Sequence, residues 1–177
     1  MSGLRVVHTA DLGAGGLEAL RQLLDEAFAG DFGDDDWEHS LGGLHVVVEE
    51  GGAPVAHASV VQRRLLHGGR ALRCGYVEGV GVRPDRRRRG HGTALMAEVG
   101  RVVRAAYDLG ALGATDEAEP LYAAHGWQRW RGTTSVVAPG GLRRTPDEDG
   151  SVWVLPVAAP LDLGGDLACD WRGGDVW

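Results

Sequence analysis

One segment constrains this chain more than any other. Val77-Glu78-Gly79-Val80-Gly81-Val82-Arg83-Pro84 leads through Arg86-Arg87-Arg88-Arg89 into Gly90-His91-Gly92-Thr93-Ala94-Leu95-Met96. A valine-rich alternating strand ends at Pro84 and crosses an arginine-rich turn whose glycines free the backbone. It then enters a helix carrying Ala94, Leu95, Val99, Val102 and Val103 at helical spacing. The backbone N–H groups of Arg88 to Thr93 then point into one concavity at a helix N-terminus, where unpaired donors and the positive dipole end favour a pyrophosphate. The four consecutive arginines add screening of phosphate charge. With 29 glycines in 177 residues, a Gly-x-Gly pair arises by chance roughly five times, so Gly90-x-Gly92 alone says little. Its context separates a phosphate cradle from a solvated arginine turn. Gly13-Ala14-Gly15-Gly16 has no such context.

The length of 177 residues suits a single domain over 1–177 with a sizeable core. At 44% hydrophobic and 24% charged, the chain reads as an ordinary soluble globular protein. It has no apolar run long enough for a membrane span and no basic-then-apolar leader, which points to the cytosol and to no membrane partner. Cys74 and Cys169 form no framework and are expected as reduced thiols. The seven histidines are dispersed, so no metal is expected. All 18 basic residues are arginine, and the net charge of −7 is unevenly placed. Arg83 to Arg89 holds five arginines, whereas Thr145 to Trp177 holds seven acids and one arginine. This pattern offers a basic patch to an anion and acidic segments to a cation, and it disfavours nucleic acid.

Periodicity predicts strands over Leu4–Thr9, Leu44–Glu49, Val55–Leu66, Ala71–Val82, Leu109–Leu112 and Trp127–Trp130, with Val152–Pro156 as the final strand. Helices are expected around Leu17 to Phe28, over Gly92–Tyr107 and over Ala118–His125. Gly30 to Glu38 reads as a loop or short helix and Gly140–Gly150 as a polar turn. The order is α/β, with antiparallel hairpins ahead of one strand-cradle-helix-strand crossover, and it lacks the Rossmann alternation.

The Arg87-x-x-Gly90-x-Gly92 turn after a valine-rich strand resembles the acetyl-CoA signature of the GCN5-related N-acetyltransferase (GNAT) superfamily. The likeness narrows at Gly30-Asp31-Phe32, Asp36-Trp37-Glu38-His39, Leu41-Gly42-Gly43, Gln62-Arg63-Arg64-Leu65, Arg73 to Val80 and Cys169 to Trp177, which look like the aminoglycoside 2′-N-acetyltransferases. The resemblance implies a mixed, mostly antiparallel central sheet that splays at the acetyl-CoA site and is flanked by helices. It implies acetyl-CoA as co-substrate, an aminoglycoside as acceptor, antibiotic resistance as consequence and a homodimer as assembly. Its cofactor positions are Val80, Val82, Arg87, Arg88, Arg89, Gly90, His91, Gly92 and Thr93. Its substrate contacts are Asp31, Glu78, Gly79, Asp175 and the Trp177 carboxylate, with Glu148 or its neighbour Asp149.

Acetyl transfer from a thioester to an amine needs a held donor, a neutral amine, a hydrogen bond for the developing oxyanion and a proton for the leaving thiolate. The N–H of Val80 is the oxyanion candidate implied by the resemblance, and Gly79 and Gly81 suit a close backbone approach there. Glu78 is the first choice of base, because it stands one residue before that backbone in an otherwise apolar strand; the Trp177 carboxylate is the second. Against these stand an edge charge facing water and a frayed tail. Tyr122 occupies the usual GNAT place for the acid, a phenol being able to donate a proton to sulfur; a core tyrosine is the alternative. His125 reads as a helix-terminus residue and Cys74 as a small core residue. Two further readings stay open: an acetyltransferase for another cationic metabolite, and a non-catalytic protein that binds a cationic ligand or acyl-CoA.

Overall fold

The structure, a computed structural model, describes residues 2–177. Two glycine pairs set up its central meander. Gly51 and Gly52, at φ +60° and +84°, join β2 (Leu44–Glu50) to β3 (Ala53–His67). Gly68 and Gly69, at φ +57° and +75°, join β3 to β4 (Arg70–Val82). Positive φ at both central positions matches the twist of a tight hairpin and is cheap for glycine.

The chain divides into two compact units, one of residues up to Val61 with Val77–Val99, the other of Gln62–Tyr76 with Gly100–Trp177. Strands β3 and β4 and helix α3 (His91–Ala106) contribute residues to each.

In the first unit, β1 (Ser2–His8) pairs antiparallel with β2, and β2 antiparallel with β3. Val46 to Val48 and Val55 to Val60 are buried without alternation, as strands covered on both faces require. Helix α1 (Gly13–Ala27) buries Leu20, Leu23 and Leu24, and Leu23 and Leu24 pack with Phe32 and Trp37. The acidic run after it caps a short helix, α2 (Asp34–His39). The Gly33 N–H donates to Asp36 Oδ2 at 2.7 Å, and Arg21 Nη1 donates to Asp34 Oδ1 at 3.0 Å.

In the second unit β3 changes character. Arg63 and Leu65 turn inward while Gln62, Arg64 and Leu66 turn outward or stay partly exposed, the alternation of a strand with one covered face. The strand order is β6-β9-β5-β4-β3-β10-β7-β8. β5 (Leu109–Gly113) runs parallel to β4 over Cys74 to Tyr76, and β9 (Val152–Pro156) lies antiparallel between β5 and β6 (Gln128–Arg129). β10 (Leu167–Asp170) is antiparallel to β3 and parallel to β7 (Thr134–Ala138), which pairs antiparallel with β8 (Gly141–Arg144). Helix α4 is Glu119–Ala124.

Two sequence expectations are corrected here. Gly140–Gly150 is not one polar turn, because it holds β8 and a 3-10 turn at Pro146–Glu148. All four β8 residues are exposed at a sheet edge, so no burial pattern marks them. Val152–Pro156 is not the last strand; the four-residue β10 follows, directly after a Gly- and Pro-containing stretch that reads as loop.

Candidate active site

The arginine-rich turn is built from its own backbone outward. A 3-10 turn at Pro84–Arg86 follows β4, and Arg88 and Gly90 take φ +59° and +83° before α3 begins at His91. The first helical bond is Ala94 N–H to Gly90 O at 3.0 Å. The N–H groups of His91, Gly92 and Thr93 precede it, the orphan donors of a helix start. A Cβ on Gly90 would meet nothing within 4 Å, so its glycine serves the left-handed turn and not packing. This arrangement fits an anion.

Two of the four arginines are struts. Arg87 Nη2 donates to Ala27 O at 2.7 Å at the end of α1, and Arg87 Nε donates to Val82 O at 3.3 Å. Arg86 Nε donates to Glu50 Oε2 at 3.0 Å and Arg86 Nη1 to Asp85 Oδ2 at 2.6 Å. The other Glu50 oxygen lies 3.1 Å from His91 Nε2. Arg88 and Arg89 are exposed.

The same unit holds Glu78, Gly79, Val80, Val82 and Asp31. Gly79 breaks the extended path of β4 with φ +56°, and a Cβ there would stand 3.0 Å from Ser40 Oγ and 3.3 Å from Leu24 Cδ1. A Cβ at Gly81 would stand 3.0 Å from Ala27 Cβ and from Leu24 Cδ2. The glycines therefore admit α1 against the strand, a packing reason beyond the one expected from sequence. The Gly79 carbonyl lies 2.7 Å from His57 Nδ1, Ser59 Oγ donates to Glu78 O at 3.3 Å, and Glu78 is half-buried. Asp31 is exposed just beyond Gly30, which takes φ +85°.

The second unit holds Tyr122, Glu148, Asp175 and Trp177. Tyr122 is 5% exposed, its ring centroid 6.3 Å from that of Trp127 and 6.4 Å from that of Trp153. Burial pushes its phenol up to about 12. Trp177 is also only 5% exposed, so the tail is not frayed. Its indole Nε1 donates to Thr145 Oγ1 at 2.9 Å, its N–H to Asp175 Oδ1 at 3.1 Å, and its carboxyl oxygen accepts from Arg172 Nη2 at 3.0 Å.

Arg63 anchors the same segment. Its Nη2 donates to Asp170 O and to Val176 O, both at 2.8 Å, and its Nε to Asp170 Oδ1 at 2.7 Å. Arg63 and Arg172 have no role in the sequence reading. A lone inward arginine on a strand signals a buried acceptor, but only coordinates say which one.

The structure also separates Glu148 from Asp149. Asp149 accepts from Thr134 N–H, Thr134 Oγ1 and Arg144 Nη2, each at 2.8 Å. Burial alone would raise its carboxyl, but these bonds outweigh it and hold it below the ordinary range. Glu148 has the opposite fate. Burial, then the charges of Asp175 and Asp147, raise its carboxyl, so acidic charge gathers around Glu148.

The remaining candidates are inert. His125 Nδ1 bonds Leu121 O at 2.8 Å within its helix. Cys74 and Cys169 are buried free thiols, with burial raising both, Cys169 to about 11. Among the described residues no group of three His, Cys, Asp or Glu is placed to hold a metal ion. A cavity of about 580 Å³ beside Leu66, His67, Ser135, Leu142 and Asp166 contains none of the predicted site residues.

A valine-rich strand in which Gly79 takes φ +56°, leading through an arginine turn to a helix start with open backbone N–H groups, suits a phosphate-bearing ligand. Residues 10–129 match the family described as acetyltransferase (GNAT) domain, and the chain belongs to the GNAT superfamily of acetyltransferases. At closer range it is 52% identical over 98% of its length to the aminoglycoside 2′-N-acetyltransferase of Mycolicibacterium fortuitum, of which it covers 91%.

Solved structures show the same mixed, mostly antiparallel sheet flanked by helices. ElaA of Escherichia coli is 18% identical with a TM-score of 0.60, covering 88% of this chain and 99% of its own. A GCN5-related N-acetyltransferase of Ralstonia eutropha JMP134 is 27% identical with a TM-score of 0.55, covering 72% and 93%. Eis1 of Mycobacterium abscessus is 21% identical with a TM-score of 0.59 over 76% of this chain, which spans about a third (32%) of Eis1.

Proposed function

We propose that the protein transfers the acetyl group of acetyl-CoA to the 2′-amino group of an aminoglycoside antibiotic and so confers resistance to it. The observation that carries this reading is the 52% identity, over 98% of the chain, to an aminoglycoside 2′-N-acetyltransferase. The acid-rich surroundings of Glu148 and Asp175 support a polycationic acceptor, since each ammonium that reaches them relieves a carboxylate repulsion.

The backbone N–H groups over Arg87 to Thr93 hold the pyrophosphate of acetyl-CoA, helped by Arg88 and Arg89, and Val80 and Val82 line its pantetheine arm. When bound, acetyl-CoA supplies the activated acyl group. The N–H of Val80 donates to the thioester oxygen as negative charge develops on it. Glu78 accepts a proton from the acceptor ammonium, directly or through water, and frees the attacking lone pair. Arg172 Nη2 donates to the Trp177 carboxyl at 3.0 Å. In this reading Glu78 is the base, and Asp31, Gly79, Glu148, Asp175 and Trp177 are the acceptor contacts that the resemblance implies. Tyr122 gives its proton to the departing sulfur as the new C–N bond forms and the C–S bond breaks. A second proton leaves the acetylated nitrogen and restores the phenol, so one proton is released per turnover.

The test follows CoA thiol release from acetyl-CoA with a 2′-amino aminoglycoside, its 2′-hydroxy analogue and spermidine. Turnover of the first alone is expected. Equal turnover of the 2′-hydroxy compound removes the regiochemistry, faster turnover of spermidine makes the acceptor another cationic metabolite, and no turnover with any amine leaves a binding protein. A cytosolic homodimer is the assembly and location that accompany this reading; sedimentation of the purified protein tests the dimer.

A further inference from the structure

Two fully buried histidines lie next to Gly79 of β4, and the mechanism above does not use them. His45 on β2 and His57 on β3 are both 0% exposed. They are diagonal neighbours across the antiparallel ladder, His57 facing Val47 and His45 facing Ser59. His57 Nδ1 lies 2.7 Å from the Gly79 carbonyl oxygen, His57 Nε2 lies 2.8 Å from His45 Nδ1, and His45 Nε2 lies 2.7 Å from Thr9 Oγ1. The Thr9 oxygen in turn accepts from the Gly42 N–H at 2.9 Å.

With both rings neutral, the direction of each bond in this row follows. A carbonyl only accepts, so His57 Nδ1 carries the proton and His57 Nε2 presents a lone pair. That lone pair needs a donor, which makes His45 Nδ1 the protonated atom and His45 Nε2 the acceptor of the Thr9 hydroxyl. The competing acceptor of that hydroxyl, Gly43 O, is more distant at 3.2 Å. Donation therefore runs one way, from the Gly42 N–H through Thr9, His45 and His57 to the Gly79 carbonyl. A further proton on His57 Nε2 would set two N–H groups against each other. Burial lowers His57 to about 3 and His45 to about 4, His45 being further lowered by the nearby His8, so both rings stay neutral.

The end of this row is the peptide that matters. Gly79 takes φ +56°, and its carbonyl belongs to the peptide whose N–H is that of Val80. Its rotation sets where the Val80 N–H points and where Glu78, one residue before, emerges. A part-buried carbonyl needs a donor, and the proton at His57 Nδ1 supplies one at 2.7 Å. We infer that His57 is a positioning residue for acetyl transfer: through its Nδ1–H bond to Gly79, backed by His45 and Thr9, it locks the Gly79–Val80 peptide in the orientation that aims the Val80 N–H and Glu78 at the reacting groups. This rests on the roles given to Val80 and Glu78 above.

The test compares His57→Asn, whose side-chain amide keeps a donor at the Nδ1 position, with His57→Leu, which has none. Both lose the His45 contact, so they share the cost to the fold. His57→Leu is expected to lower kcat by about tenfold or more, as small displacements of reacting groups do, with the KM for acetyl-CoA little changed. His57→Asn is expected to recover most of that loss. Equal loss in both variants at matched urea midpoints makes His57 a fold residue only and overturns the inference, as does wild-type kcat in His57→Leu.

A measurement independent of activity covers a variant that fails to fold and an acceptor that proves wrong. In histidine-¹⁵N-labelled wild-type protein, His45 and His57 should both show the neutral Nδ1–H tautomer, unchanged between pH 5.5 and 8, with a three-bond coupling from His57 to the Gly79 carbonyl. The Nε2–H tautomer at His57 removes the bond and the inference with it. Absence of turnover with every amine, beside intact Nδ1–H signals, instead removes the functional reading.

Discussion

Tyr122 is a weak acid at about 12, against an ordinary thiol near 8.5. The transfer is workable because the desolvation that raises the phenol also raises a thiolate formed beside it. Tyr122→Phe is expected to lower kcat by about 10²-fold or more with KM little changed; single-turnover CoA release measures it, and an effect confined to KM would contradict the role. At Glu148 the sign of a stability effect tests the same geometry. Its folded carboxyl is raised by burial, Asp175 and Asp147, so the folded state holds the proton more tightly than the unfolded chain. Stability from this group is therefore present at low pH and lost as pH rises through the raised folded value. Glu148→Gln is expected to raise the melting temperature at pH 7 while weakening acceptor binding about tenfold, readable by calorimetry on one sample. Asp149→Asn should do the reverse, because Thr134 and Arg144 lose their charged acceptor.

At the scale of elements, the Gly79 turn of β4 and the arginine turn behave as framed parts. Gly79→Ala forces a Cβ to 3.0 Å from Ser40 Oγ at φ +56°, and an expected cost of about 1–3 kcal/mol follows from strain alone; urea unfolding measures it. Glu50→Gln removes the charge that grips Arg86 and lies beside His91, so the KM for acetyl-CoA should rise several-fold while the acceptor KM stays constant. The buried histidine row gives the first unit its acid sensitivity. With folded values of about 3 and about 4 against 6.5 unfolded, the unfolded chain takes up protons that the folded one refuses. Stability is full above pH 6.5 and falls with pH toward 4, at up to about 1.4 kcal/mol per pH unit for each histidine. The helix starts, hairpin glycines and long strands of these elements were legible in the sequence. β7, β8 and β10 were not; β8, an edge strand with every residue exposed, leaves no burial pattern to read, and β10 has only four residues.

For the molecule as a whole, charge placement governs the acceptor. The net charge of −7, with seven acids after Thr145, attracts a polycation over a distance that salt shortens. The KM of an acceptor with four ammonium groups should rise about tenfold between low salt and 0.5 M, and that of a monoamine hardly at all; parallel initial-rate series check this. The residues themselves point to the superfamily, which the family match bears out; the acetyl-CoA donor and the polycationic acceptor are what the resemblance implies and belong to the proposed function. Cradle glycines, a valine strand and clustered acids are local patterns whose chemistry needs no knowledge of what lies across the fold. What needed coordinates was the partner of each charge. Arg86 and Arg87 are struts, Asp149 is spent on Thr134 and Arg144 while Glu148 is not, and His57 ends on the Gly79 carbonyl. Side-chain pairing over 22 residues, from His57 to Gly79, or 113, from Arg63 to Val176, follows from how strands are laid side by side, and no local pattern records it.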